Sequence, residues 1–495
     1  MVNRLLRHKA TIPLLLLVIS GIYYWALYSR DFTWIYTSGD AGDWLVQTNW
    51  WMVPHCWGKP LYISLVHLVS LIPGDPVAIV TICLSVIPGA IIVMMTYLIA
   101  LKLTSDKRLS IIASLIVFGS NVMLSQATVV EQYSALAMIW LGAFYFYITG
   151  HKVWTIIFLG LMTASHMLGA VFTFMLLFVE LSNWRQWAKL IPLYVVFGIL
   201  PYGLILWMMA DPNSPKLMAG GLSWAALNTY TGNTTSVAGL ALVEGLNRTK
   251  ETMWIMFSSM GLALVPLWRG FKKPWDNTTK FIIATSGFVM WFYFTNFFPS
   301  TWKFLLLAIP LLACVAVVGL KGLPKWHSQV VCIGAVVLIA CNGFFFNTNQ
   351  LNEENPLARE YMQALEALPD GSAVVTPRGG AYGFTLFWEM SKGKDLIPIA
   401  LIRPQYWGEE VTDQSYLDYA AWLNEYYGIE GKNCYELVND AMAKGHEIYF
   451  GQPMTKLWGR AFVHEDNPVG YLDKVIRVRE HPPWDDLLAP LLESK

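Results

Sequence analysis

The sequence predicts an α-helical polytopic membrane protein, with about 11 transmembrane helices in residues 1–346 and an extracytoplasmic α/β domain in residues 347–495. Three observations predict it. Hydrophobic residues make up 55% of the 495-residue chain and charged residues only 14%, a balance that ordinary soluble domains do not have. Net charge is zero, but residues 1–345 hold 21 Lys/Arg against 11 Asp/Glu, whereas residues 346–495 hold 13 against 23. Apolar runs of spanning length, or nearly so, recur along the first part and stop at its end.

Nine such runs lie at about 11–28, 76–101, 110–125, 131–149, 189–209, 251–268, 279–298, 301–320 and 327–346. The segment 153–181 is long for one helix and short for two, and charge counting decides between them. Arg4, Arg7 and Lys9 place the N-terminus in the cytoplasm. Lys102, Lys107, Arg108, Lys152, Arg185, Lys189, Arg269, Lys272, Lys273, Lys280, Lys321 and Lys325 then share that side only if 153–181 is a hairpin turning near His166. The hairpin completes 11 spans and leaves only Arg30, Lys59, Lys216, Arg248, Lys250 and Lys303 in the short external loops. The first run follows a basic start, as a signal peptide would, but bulky Tyr23, Tyr24 and Trp25 stand where a cleavage site needs small residues. It reads as an uncleaved span.

The external loop 29–75 collects acids and a histidine beside the membrane. Asp40 and Asp43 are three apart, so a helix opened at Ser38 and Gly39 puts both carboxylates, and then Gln47, on one face. In a first turn the helix dipole and the free N–H groups favour ionised carboxylates, which can act as general bases. The same acids could simply cap an amphipathic helix on the bilayer, anchored by Trp44, Trp50, Trp51 and Trp57. A second amphipathic stretch, Lys59 to Ile72, opens on Pro60, closes on Pro73 and Gly74, and lies along the membrane surface.

Beyond residue 346 the pattern changes to helix (355–367), strand (372–376), helix (382–391) and strand (396–402), followed by two helices and a strand at 447–450. The join at Pro377-Arg378-Gly379-Gly380 lacks both G-x-G-x-x-G and G-K-[ST], so it is not a nucleotide loop. Basic residues scatter over short loops, which argues against a nucleic-acid partner. The six cysteines show no C-x-x-C pair, and those in apolar segments read as small hydrophobes.

Residues Asp40-Ala41-Gly42-Asp43-Trp44, followed by Pro54, His55, Gly58, Pro60, Leu61 and Tyr62, form a D-A-G-[DE]-[FW] / P-H-x-x-G-x-P-L-Y pair. The pair resembles the first external loop of a polytopic membrane family related to protein O-mannosyltransferases, which belong to the GT-C class of glycosyltransferases. Cys56 and Trp57 stand where members more often carry two prolines. The resemblance implies a GT-C-like domain over 1–346, and it implies transfer of a sugar, with inversion, from a polyprenyl-phosphate donor to a protein, glycan or lipid acceptor at the extracytoplasmic face. Asp40 would be the catalytic base and Asp43 its supporting neighbour. Glu131 and Tyr133 match the family's E-x-Y element, so Glu131 joins the catalytic residues.

Substrate contacts are expected from His55, Tyr133, His166 and Lys303. Each has a plainer reading: an interfacial carboxylate for Glu131, structural imidazoles for His55 and His166, and a snorkelling side chain for Lys303. The resemblance implies a lipid-phosphate leaving group, already a weak base, so no acid is required opposite it; no cofactor is expected. A divalent metal on Asp40, Asp43 and Glu131 is less favoured, and a zinc site is not expected, since no two His, Cys or acidic residues show a ligand spacing such as H-x-x-x-H. The expected location is a bacterial or archaeal cytoplasmic membrane, or the endoplasmic reticulum membrane of a eukaryote. The alternative is a membrane transporter, or a lipid-binding or assembly protein, although the spans show few mid-span charges and no inverted repeat.

Overall fold

The computed structural model describes residues 10–28, 44–45, 48–49, 59–204, 250–272, 276–295, 301–349, 356–377, 389–390, 392–401, 434–451, 462–469 and 472–478. The chain divides into two units: Met1–Arg30, His55–Asp211 and Gly221–Glu353 form the first, and Asp31–Pro54, Pro212–Gly220 and Glu354–Lys495 the second.

The first unit is helical. Its described helices include α1 (Thr11–Leu27), α2 (Pro60–Ser70), α3 (Pro76–Thr104), α4 (Lys107–Phe118), α5 (Asn121–Ala127), α6 (Tyr133–Ile148), α7 (Lys152–Ser165), α8 (Leu168–Val179), α9 (Leu181–Ala188), α10 (Ile191–Leu204), α11 (Leu264–Phe271), α12 (Asn277–Thr295), α13 (Ile309–Leu320) and α14 (Lys325–Asn349), and residues 250–260 are helical as well. Among the described residues, α3 and the Lys325–Phe345 part of α14 are each long and apolar enough to cross a membrane, and α4 with α5 and α9 with α10 are bent pairs of that character. Phe174, Phe178, Val265 and Ile333 are exposed, as side chains facing lipid would be. The molecule is an integral membrane protein.

Three of the predicted spans are broken rather than continuous. The run 110–125 bends by 63° between α4 and α5, and 251–268 is interrupted by a 3-10 turn, Gly261–Ala263, before α11; the 69° bend between α9 and α10 lies at the start of 189–209 and leaves that run whole as far as it is described. The run 301–320 begins as a 3-10 turn, Thr301–Leu307, before α13. At the first break Ser120 Oγ caps α5 by accepting from Met123 N at 3.4 Å, and Asn342 Nδ2 donates to Gly119 O at 2.6 Å. Gly119 lies so close to α14 that an added Cβ would stand 2.8 Å from Ile339 N. Partners distant in sequence thus satisfy a break that would be costly in lipid.

Both π turns precede a proline. Ile82–Val86 lies just before Pro88 and Val195–Ile199 just before Pro201, with i→i+5 bonds from Ile87 N to Ile82 O and from Leu200 N to Val195 O. Proline lacks the N–H for a regular bond and crowds the carbonyl four residues back, so the preceding turn widens.

Residues 153–181 do contain two helices, α7 and α8, broken at His166 and Met167. His166 is extended (φ −165°), and the turn is tight: a Cβ on Gly169 would meet Thr163 N at 2.2 Å. The helices therefore pack backbone to backbone.

The second unit holds α15 (Pro356–Ala367), β1 (Ser372–Pro377), β2 (Leu396–Leu401), α16 (Cys434–Ala443), β3 (Ile448–Gly451), β4 (Phe462–Val469) and β5 (Leu472–Val478). Strand order is β2-β1-β3-β5-β4; β1 runs parallel to β2 and β3, and β5 runs antiparallel to β3 and β4. The interior strand β1 buries Ala373, Val374 and Val375, as a strand covered on both faces must. Gly371 (φ +80°) makes the turn from α15 into it. Leu365 and Leu368 pack with Val374, Leu396, Tyr449 and Leu472. The expected helix at 382–391 lies largely outside the described residues.

Candidate functional site

Glu131 is the residue from which the site builds. It follows the last turn of α5 and precedes α6, and it is fully buried. The π turn in α3 brings Ser85 to its backbone, with Ser85 Oγ donating to Glu131 O at 3.3 Å and accepting from Glu131 N at 3.5 Å. Lys303, 172 residues further along, places its ammonium 2.5 Å from Glu131 Oε1. Only 4% of Lys303 is exposed, so it does not snorkel to the surface. A buried carboxylate in an apolar bundle needs such a partner, because desolvating either charge alone would cost several kcal/mol.

The irregular 3-10 turn that carries Lys303 is held in place on both sides. Trp140 Nε1, from α6, donates to Leu307 O at 3.0 Å, while Leu305 and Leu306 are fully buried. Phe304 makes edge contacts with Tyr133 at 4.9 Å, Phe292 at 5.0 Å and His166 at 5.2 Å between ring centroids. The Lys303 ammonium also lies 5.7 Å from the Tyr133 ring centroid, within cation–π range. Four of the predicted residues, Glu131, Tyr133, His166 and Lys303, therefore meet around Phe304 and Lys303.

His166 serves the fold as well. Its Nδ1 accepts from Leu168 N at 3.2 Å and so caps the start of α8. Tyr62, on α2, joins the group: burial, and then the Glu131 charge, push its phenol well above its ordinary pKa. Lys59 precedes α2 with a left-handed backbone (φ 45°) and is 2% exposed. A buried cation at a helix N-terminus opposes the dipole, so anions suit the place. Among the described residues, Lys59 and Lys303 are the lysines classed as buried.

Asp40, Asp43 and His55 lie outside the described residues. The residues considered for a metal, Asp40, Asp43 and Glu131, are thus described only at Glu131. Among the described residues no three His, Cys, Asp or Glu side chains gather as metal ligands. Sequence reasoning missed Ser85, Tyr62 and Phe304. Tyr62 carried a signal, since it closes the P-L-Y element, whereas Ser85 and Phe304 sit in apolar runs without one.

No family model matches the chain, and no curated protein matches it. Solved structures do. The crystal structure of ArnT from Cupriavidus metallidurans bound to undecaprenyl phosphate superposes with a TM-score of 0.61 and 10% identity, covering 94% of this chain and 98% of that one. The apo form of ArnT from the same organism gives 0.59 and 10%, covering 93% and 97%. ArnT is a GT-C glycosyltransferase, and likeness at this identity speaks to fold. The chain shares the fold of ArnT over the matched 94% of its length.

Proposed function

We propose that the protein is a glycosyltransferase that moves a sugar from a polyprenyl-phosphate donor to an acceptor at the extracytoplasmic membrane face. The observation that carries this reading is the fold match over 94% of the chain to a protein crystallised with undecaprenyl phosphate. The buried charges support it, since Lys59 and Lys303 suit an anionic ligand better than an apolar one.

In this reading 11 spans place the N-terminus in the cytoplasm and residues 347–495 outside. Asp40 removes the proton of the acceptor hydroxyl as its oxygen attacks the anomeric carbon, and Asp43 supports it by hydrogen bonding. The bond to the lipid phosphate breaks with inversion, and the phosphate leaves as a weak base. Glu131 holds Lys303 in position, and the ammonium, with Lys59, receives the phosphate charge. Tyr133, His55 and His166 line the substrate. Protein, glycan and lipid hydroxyls all suit the acceptor role, and a mannosyl donor is one choice within this chemistry.

Substitution of the base tests the reading. Asp40→Asn keeps the capping oxygen but cannot take a proton, so turnover per mole of folded protein should fall by about 10²- to 10⁴-fold. Asp43→Asn should lose less. If both variants turn over near normally, with losses tracking abundance, the aspartates only cap a helix. Topology has its own check: a thiol introduced at Ala420 should be labelled from outside intact cells, and labelling only after permeabilisation would reject the arrangement.

A further inference from the structure

The junction between α5 and α6, which carries Glu131, also holds two buried amides that the mechanism above does not use. Gln132 is 1% exposed and Gln126 2%. Neither Oε1 nor Nε2 of Gln132, nor Oε1 of Gln126, has a hydrogen-bond partner among the described residues. Leaving a buried amide without a partner is costly, so each such group has a physical reason. Gln132 stands between Glu131 and Tyr133, in the turn that faces Lys303. Ser134 Oγ donates to the backbone O of Gln126 at 2.9 Å, which holds the end of α5 against the first turn of α6, two residues beyond Gln132.

The orientation of Gln126 follows from its neighbour. Ser125 Oγ gives its proton to Val122 O at 2.9 Å, so the 3.4 Å contact between Ser125 Oγ and Gln126 must use the amide N–H. Gln126 Oε1 is then the unsatisfied atom. The junction offers two acceptors and one donor pair. Phosphate oxygens, which only accept, would satisfy Gln132 Nε2 and leave both carbonyls wanting, whereas an ammonium would leave the N–H₂ wanting. Hydroxyl groups both donate and accept, and neighbouring hydroxyls on one ring match the whole set.

We infer that Gln132, assisted by Gln126, binds hydroxyl groups of the transferred sugar and contributes to the choice of sugar, as a specificity residue distinct from the groups that hold the phosphate. This rests on the glycosyltransferase reading. The amides are left unsatisfied in the protein alone because their partner arrives with the donor.

The test uses the full chain in lipid nanodiscs and two kinds of probe: undecaprenyl phosphate, and the same lipid phosphate carrying a single hexose or pentose. Gln132→Met keeps length and removes both polar atoms. The variant should melt no lower than wild type without ligand, bind undecaprenyl phosphate within about twofold of wild type, and bind the preferred glycosylated lipid about tenfold more weakly. Gln126→Met should show the same split to a smaller degree, and it serves if the first variant folds poorly. Equal weakening toward both lipids would move Gln132 to the phosphate and overturn the inference. Unchanged binding of both, with a lower melting temperature, would make the amide a structural group bridged by water. Wild-type protein that binds neither lipid would instead remove the glycosyltransferase reading itself.

Discussion

Two buried carboxylates of the helical unit, Glu131 and Glu180, solve the same problem in opposite ways. Glu180 ends α8 and accepts from three neutral donors: Tyr147 Oη at 2.8 Å, Asn183 Nδ2 at 3.0 Å and Asn277 Nδ2 at 3.0 Å. Burial works to raise its pKa, but the hydrogen bonds from Asn183, Tyr147 and Asn277 outweigh it and hold the carboxyl below its ordinary value of 4.5. Those donors come from α6, α9 and α12, so Glu180 acts as a knot where helices meet. Glu131 pairs instead with a cation from an irregular turn, in a junction that also holds amides without partners among the described residues. A satisfied carboxylate fastens a fold. One that holds a cation beside unmet hydrogen-bond groups has the features of a site.

The contrast can be broken or sharpened by substitution. The largest effect is expected at Lys303. Replacing it with Met breaks a buried ion pair and should cost about 3–5 kcal/mol of stability. The added substitution Glu131→Gln should restore most of that, while donor binding stays lost in the double variant. If Lys303→Met alone melts like wild type, the pair is not the buried contact described above. Next comes Gly169→Ala, whose Cβ would strike the Thr163 backbone at 2.2 Å and should destabilise by about 1–3 kcal/mol through overpacking. A fully stable alanine variant would argue against the tight turn at His166.

Glu180→Gln should cost about 1–3 kcal/mol, because an amide cannot accept from all three donors, and turnover per folded molecule should stay unchanged. A fall in that turnover would erase the distinction from Glu131. The pH dependence gives the smallest signal. The folded pKa of Glu180 is depressed, so its contribution is fully present above its unfolded value near 4.5 and fades as pH falls through the lower folded value. Wild type should therefore lose stability below about pH 4.5 more steeply than Glu180→Gln, as melting temperatures across that window would show.

How much of this was legible in the sequence differs by element. The break at His166 followed from placing basic residues on one side of a membrane, and the structure breaks the chain there. The strands at 372–377, 396–401 and 448–451 and the helix at 356–367 lie where the residue pattern puts them. Strands β4 and β5 were missed. Phe462–Val469 reads FVHEDNPV, without apolar alternation, because an edge strand tolerates polar residues and a proline that a central strand would not. The bend between α4 and α5 was hidden because Asn342 and Ile339, more than 200 residues away, decide it.

At the site, Glu131 and Lys303 were each visible as a charge in apolar surroundings. Their pairing was not, since nothing local links positions 172 apart. Gln132 gave no signal at all: an uncharged amide ahead of a helix looks like an ordinary end residue until its burial is known. Phe304, which gathers Tyr133, His166 and Phe292, is one phenylalanine among 25. The aspartates carried the clearest motif and lie outside the described residues.

Sugar transfer itself tests the account most directly. Radiolabelled polyprenyl-phosphate sugars extracted from the source membranes, incubated with purified protein in nanodiscs and the membrane's own acceptors, report the label that leaves the lipid phase. The account predicts that wild-type protein moves label from the lipid phosphate to an acceptor and that Asp40→Asn protein, equally folded, does not. Label that stays on the lipid with wild-type protein, or that moves equally well with the Asp40→Asn variant, would contradict it.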